Sequence, residues 1–184
     1  SDLVRVCAQV GVPLAIMLQH RARQASQALK TALEAGDLGE ICTVDLRVPW
    51  WRAQSYYDAP GRGTYARDGG GVMISQAIHT LDLAIWLLGP IRAVQAMMRQ
   101  TALHHLEAED WAGALFDMQC GAFGTLLATT AAYPGGAETI VVQGTKAAAH
   151  LGSGVLEISY LDGRKTRVGA EGATGGGDNA VTDR

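Results

Sequence analysis

No glycine-rich phosphate loop stands behind an apolar strand in this sequence: GxGxxG in that setting, GxxxxGKS/T and the GxSxG nucleophile elbow are all missing. A chain of this kind carries no recognisable nucleotide-binding unit of its own. Basic blocks are missing as well. Fifteen Lys+Arg against 18 Asp+Glu leave a formal net charge of -3, which argues against nucleic acid as the main partner and leaves small uncharged polar ligands open. Cysteine is scarce: Cys7, Cys42 and Cys120 are odd in number, far apart and free of any CxxC pair. They read as buried, reduced thiols of a cytoplasmic protein. The longest apolar runs, such as Val12 to Leu18, fall far short of the ~20 residues that span a bilayer, and no charged-then-apolar leader opens the chain. Neither export nor membrane insertion is expected.

What the chain has in quantity is apolar residues and glycine. At 184 residues and 48% hydrophobic it holds enough apolar material for one core of ordinary size. Its 23 glycines cluster at Gly69-Gly70-Gly71, Gly135-Gly136 and Gly175-Gly176-Gly177. They punctuate elements without forming a solenoid or propeller repeat.

After a short opening segment, Val12 to Leu18 reads as a buried strand. Ala22 to Ala35 follows with helical spacing at Ala22, Ala25, Leu29, Ala32 and Leu33, and Gly36 sits where a left-handed residue ends a helix. From Ile41 to Val48, Cys42, Val44, Leu46 and Val48 alternate with Thr43, Asp45 and Arg47, the mark of a strand with one buried face. Pro49 to Arg67 breaks the pattern as a long loop rich in aromatic and basic residues. The best helix runs from Val72 to Leu88, with Ile74, Ile78, Leu81, Ile85 and Leu88 on its apolar face and Gly89-Pro90 as its stop. Beyond it come strand-like stretches at Ile91 to Arg99, Glu109 to Met118, Ala122 to Thr130, Thr139 to Gly144, Val155 to Tyr160 and Lys165 to Val168, joined by links too short for anything but mostly antiparallel pairing. The expected fold is α+β: a large, predominantly antiparallel, open-faced sheet with helices packed on one face. Residues 1–168 form the domain and 169–184 a glycine-rich tail. Two helices cannot cover both faces of such a sheet. Val94, Met98, Trp111, Leu115, Leu126 and Ile140 are the candidates for its outward side, and an apolar open face favours a homodimer built sheet to sheet.

On the Val72 to Leu88 helix, Ser75, His79, Asp82 and Trp86 step by four, three and four and form a second stripe beside the apolar one. Histidine suits proton transfer near neutral pH, and Asp82 one turn on can orient or charge the imidazole. The competing reading is a histidine that only caps or packs. The three glycines upstream favour close approach of backbone or ligand to the helix start. In the loop, Trp51, Tyr57 and their neighbours offer ring faces for a sugar or nicotinamide, while Arg52, Arg62 and Arg67 can donate to hydroxyl, carboxylate or phosphate groups; an interface loop would use the same residue types. Gln19, His20 and Arg21 stand between the first strand and the first helix, a place where side chains meet ligands, though a charge cluster flanking a helix looks the same. His104-His105 beside Glu107, Glu109 and Asp110 reads as a solvated turn, because adjacent histidines on a strand point apart and no third ligand has fixed spacing. No metal site is expected.

These residues together resemble the C-terminal domain of the glucose-fructose oxidoreductase/inositol dehydrogenase/rhizopine catabolism (Gfo/Idh/MocA) family. The likeness rests on Gly69-Gly70-Gly71 followed by Ser75-Gln76-Ala77-Ile78-His79-Thr80-Leu81-Asp82 and Trp86-Leu87-Leu88-Gly89. Gln19 with Arg21, Gly36-Asp37-Leu38-Gly39-Glu40-Ile41, Trp51-Arg52 and Arg62-Gly63-Thr64 support it. The match covers roughly the first half of the chain, and the second half agrees only in pattern. The resemblance implies an oxidoreductase that passes hydride between NAD or NADP and a secondary hydroxyl of a sugar, sugar-nucleotide or polyol. His79 and Asp82 would carry the chemistry, Arg21, Trp51, Arg52, Tyr57, Arg62, Ser75 and Gln76 would contact substrate, and Gln19 would make a minor cofactor contact. Similar proteins begin with a Rossmann domain bearing a Glu-Lys-Pro lysine. Neither is present here, so the cofactor and that lysine are expected from elsewhere, and this chain alone should bind NAD(H) weakly or not at all.

There is one departure within the motif. Many relatives carry an aspartate four residues before the histidine, where this chain has Ser75, and a glycine where it has Ala77. The nearest variant is that of N-acetylated sugar-nucleotide dehydrogenases, with a neutral residue at that point, so His79 inherits the larger share of proton transfer. A non-catalytic scaffold of the same fold, and a lyase-like relative that uses the nicotinamide transiently, are the alternatives.

Overall fold

A computed structural model of the chain describes residues 2–170. Residues 171–184 of the expected tail lie outside that range. Among the described residues, four α-helices, α1 (Asp2–Val10), α2 (Gln24–Glu34), α3 (Gln54–Tyr57) and α4 (Ile78–Leu88), accompany eight strands: β1 (Ile41–Pro49), β2 (Ile91–Arg99), β3 (Trp111–Met118), β4 (Phe123–Thr129), β5 (Thr139–Gly144), β6 (Ala147–Gly152), β7 (Val155–Tyr160) and β8 (Lys165–Val168). The strands form one sheet in the order β2-β3-β4-β1-β5-β6-β7-β8. Every neighbouring pair is antiparallel except β1 with β4. The fold is therefore the α+β, open-faced sheet expected from the pattern. None of the described helices is long and apolar enough to cross a membrane.

The core lies between the sheet and α2 and α4. In β1 the alternation works as read: Val44, Leu46 and Val48 are buried under the helices, and Leu46, with no exposed surface, contributes about 1.5–3 kcal/mol of transfer free energy. Ala25, Leu29 and Ala32 are the buried side of α2, which ends as expected before Gly36 at a φ of 73°.

Sheet register overturns part of the expected open face. Leu126 and Ile140 lie beside Leu46 and are buried with it on the helix side. Val94 and Met98, opposite Phe116 and Ala112, point to that same side, yet they stand on edge strand β2 and stay exposed because α2 and α4 lie over β1 and β5 to β8. Trp111 and Leu115 alone of the six occupy the open face, where Met97 and Phe123 join them. A slip of one residue in the assumed pleat inverts every side chain of a strand.

Three further expectations fail. Val12 to Leu18 forms no strand, and Val12, Leu14, Ile16 and Met17 are exposed: a strand needs a neighbour that takes its hydrogen bonds, and none of the eight strands pairs with this segment. Cys42 and Cys120 are exposed, the first at a register shift in β1 and the second in the β3–β4 turn, and Cys7 is half-buried; all three are free. The segment between Gly144 and Val155, passed over as a connection, is strand β6, whose alanines carry little strand propensity but pack against α2.

Candidate active site

The helix that carries the polar stripe is not one regular helix. Met73–Ala77 forms a π-helical turn, and regular α geometry begins at Ile78. The wider turn alters the phase. Gln76, Ala77, Thr80, Leu83, Ala84 and Leu87 face inward, while Ile74 and Ile85, expected in the core, are exposed. Gly71 marks where the helix begins. Its N–H and that of Met73 donate to the carboxylate of Glu109, each at 3.1 Å, and the Val72 N–H donates to the Glu109 carbonyl at 2.8 Å. A Cβ on Gly71 would lie 1.8 Å from that carbonyl oxygen, so the close approach expected of the triple glycine is made by the chain itself.

His79 and Asp82 share one side of α4 as their spacing requires. Asp82, however, turns to Arg21: Nε donates to Oδ2 at 2.7 Å and Nη2 donates to Oδ1, a two-pronged ion pair between the turn at Gln19–Ala22 and α4. Both carboxylate oxygens are thereby engaged by the guanidinium. His79 Nδ1 is buried without a hydrogen-bond partner, which leaves Nε2 as the ring nitrogen a hydroxyl can reach. The ring next to it is the buried His20, with centroids 5.2 Å apart. Behind His20 stands Glu138, equally buried, 3.9 Å from His20 Nε2 and bonded at 3.0 Å by Arg23. Ser75 donates its hydroxyl to the Gly71 carbonyl at 2.5 Å and touches the buried Gln76 amide, while Gln19 is exposed beside Arg21.

The loop residues gather in a second cluster at the end of β1. Arg52 is 7% exposed, its guanidinium between the Trp50 and Tyr56 rings and its Nη1 donating to the Trp51 carbonyl. The Tyr57 hydroxyl shares a 2.6 Å hydrogen bond with Thr130, and burial pushes this phenol up to about 12, so it stays protonated. Arg62 lies over Tyr56, and Trp51 meets Tyr133 edge-on. His104 anchors the cluster. It is 2% exposed, with Nδ1 2.6 Å from Asp110 and Nε2 2.9 Å from the Arg52 carbonyl, which overturns its reading as a solvated turn; the exposed member of that dipeptide is His105. The folded chain brings Arg21, Ser75, Gln76, His79 and Asp82 together on and beside α4, and Trp51, Arg52, Tyr57 and Arg62 together in the loop.

Sequence reasoning missed Glu138 altogether and noted His20 only as a neighbour of Arg21. Burial first, and then the Arg23 charge, press the His20 imidazole down to about 4, against the opposite pull of Glu138. An unfolded histidine titrates near ~6.5. The folded state therefore binds fewer protons between about 6.5 and about 4, and stability that is complete above the upper value is lost as pH falls towards the lower. The partly solvated Arg23 reduces this to about 2 kcal/mol. Urea unfolding at pH 7.5 and 4.5 checks it: His20→Gln should lose about 2 kcal/mol less between the two pH values than the unsubstituted chain. Equal losses would remove His20 as the source.

Residues 26–150 match the family model described as the GFO/IDH/MocA C-terminal domain. D-apiose dehydrogenase of Rhizobium rhizogenes is 29% identical over 174 residues, covering 88% of this chain and 47% of that protein. Among solved structures, the WlbA dehydrogenase from Bordetella pertussis, in complex with NADH and UDP-GlcNAcA, is 36% identical with a TM-score of 0.76, over 82% of this chain and 44% of the other. An NAD binding oxidoreductase from Klebsiella pneumoniae, 21% identical with a TM-score of 0.75 over 92% of this chain and 50% of its own, shares the fold. The chain thus spans about half the length of the relatives it matches. With its glycine-led helix, its eight-stranded open sheet and a family match across most of both, this chain belongs to the GFO/IDH/MocA family and carries that family's C-terminal domain.

Proposed function

We propose that this chain is the substrate-binding and self-associating half of an NAD(P)-dependent oxidoreductase that acts on a secondary hydroxyl of a sugar-nucleotide, sugar or polyol. The observation that carries the reading is His79: one ring nitrogen is buried, the other is open, and charges on either side are matched in the ion pairs Arg21–Asp82 and Arg23–Glu138. An imidazole with one nitrogen open can accept a hydroxyl proton.

Hydride acceptance is the chemistry that NAD(P) supplies when bound. Residues 2–170 offer no glycine-rich cradle for a pyrophosphate, so the cofactor would be held mainly by residues outside them, with Gln19 as a minor contact from this side. Helix α1 fits such a division. No residue of it is buried, and Leu3, Val4, Val6 and Val10 are exposed together with Ile16 and Met17, an apolar surface suited to packing against a further unit. The work left to this chain is to bind and orient the sugar through Arg21, Ser75, Gln76, Trp51, Arg52, Tyr57 and Arg62, and to take the hydroxyl proton at His79 Nε2. Ser75 in place of an acid, and the 36% identity to a dehydrogenase solved with UDP-GlcNAcA, favour a sugar-nucleotide.

The test is NAD+ and NADP+ reduction, followed by absorbance, by the full-length protein that contains this chain, with UDP-N-acetylhexuronates and with free sugars and polyols. Turnover with the sugar-nucleotides supports the reading. Absence of turnover with every hydroxyl substrate would leave a non-catalytic scaffold.

Self-association is the second half of the proposal, with a second copy meeting the open face around Met97, Leu115 and Phe123. A stable contact there would bury roughly 1,200 Å² or more in total. Sedimentation velocity should show a dimer or larger that Leu115→Arg dissociates; a monomer at high micromolar concentration contradicts it.

A further inference from the structure

We propose that His20 and Glu138 form an inner exit for the proton that His79 takes up, running from the buried side of its ring to the partly exposed Arg23–Glu138 ion pair. The inference rests on the reading of His79 as proton acceptor. Oxidation of a secondary alcohol yields a ketone, a transferred hydride and one proton, and the proton arrives at His79 Nε2. It must leave before the next turnover. While substrate covers Nε2, the way out is the N–H on Nδ1, which is buried and has no hydrogen-bond partner in the chain. Asp82 offers no acceptor there, because Arg21 engages both its oxygens.

The ring packed against His79 is a second imidazole, and because no hydrogen bond joins the two, transfer between them also takes a ring rotation or one bridging water. His20 lies 5.2 Å away between ring centroids, 5% exposed. An imidazole can take a proton at one nitrogen and release the one on the other, so it passes charge without changing its own state. Its Nε2 stands 3.9 Å from Glu138 Oε1, and Glu138 Oε2 is buried with no partner. That gap is longer than a hydrogen bond and closes with a side-chain rotation of roughly an ångström or with one bridging water. A cavity of about 20 Å³ lined by His20, Arg23, Ser26, Thr80 and Glu138 adjoins it. One water needs ~10–15 Å³ of such space.

The charged groups facing His20 are Arg23 and Glu138 on one side and His79 and Asp82, with its partner Arg21, on the other. They cancel in pairs. Together with burial they keep His20 neutral, so a proton passes through it without being trapped.

The experiment uses the full-length enzyme. His20→Ala should lower kcat roughly ten- to a hundredfold, with KM and cofactor affinity nearly unchanged, raise the solvent deuterium isotope effect, and recover at least severalfold with added millimolar imidazole. Glu138→Gln, which keeps the shape of the side chain, should lower kcat with the same rise in isotope effect. Full activity in His20→Ala, or a loss that imidazole does not relieve and that leaves the isotope effect unchanged, overturns the proposal and makes His20 a packing residue. If His79→Asn itself keeps turnover, the underlying reading has failed; if His79→Asn is inactive while His20→Ala is normal, only the relay has.

Discussion

On the proposed reading, His79→Asn in the full-length protein is expected to lower kcat by roughly 10²- to 10⁴-fold while cofactor affinity and melting temperature stay near their original values. Asparagine keeps a polar group of similar reach at a half-buried position of α4 but has no nitrogen that accepts a proton near neutral pH. Only the proton step should suffer. Asp82→Asn is the control on the same helix. It is expected to do less to turnover, because it removes the Arg21 ion pair and leaves both nitrogens of His79 in place. Steady-state kinetics across pH 5 to 9 check both variants. Near-normal turnover of His79→Asn would move the acceptor role to a group outside this chain.

The largest loss of stability is expected from Asp110→Ala, at about 3–5 kcal/mol. The Asp110 carboxylate has no exposed surface and accepts from the Thr101 N–H at 2.7 Å and the Thr101 hydroxyl at 2.5 Å, with His104 Nδ1 2.6 Å away. Alanine strands the buried His104 Nδ1 and takes the acceptor away from the N–H and hydroxyl of the half-buried Thr101. His104 in turn holds the Arg52 carbonyl, and Arg52 N–H donates to the Thr130 carbonyl, so the same change loosens the loop that carries Trp51, Arg52 and Tyr57. Urea denaturation measures the loss, and a rise in substrate KM in the full-length enzyme measures the loop. A cost below 1 kcal/mol would mean that water reaches Asp110 in solution.

The legible parts of this molecule are those whose information is local. The alternation of Val44, Leu46 and Val48 describes β1 within a single strand, and Gly36 and Gly89 stop helices wherever those helices pack. The spacing of His79 and Asp82 puts both on one side of a helix by period alone. The π-helical turn over Met73–Ala77 leaves no mark in the local spacing, and the Glu109 carboxylate that receives the N–H groups at its start lies 38 residues from Gly71. The burial of His104 was hidden for the same reason: its partners Asp110 and Arg52 lie on different segments that only the β3–β4–β1 order brings together.

By itself, then, the sequence determined the element types over most of the chain, the α+β class, the loop rich in aromatic and basic residues, and the placing of His79 and Asp82 one turn apart, since each follows from spacing within a few residues. Tertiary structure decided which face of the sheet is open, which partner each charge takes, and which histidines are buried. Arg21 reaches Asp82 across 61 positions, and Arg23 reaches Glu138 across 115. Such pairings depend on the sheet register and on α2 and α4 lying side by side, and no periodicity in a single chain encodes which of its 18 acidic residues a given arginine will meet.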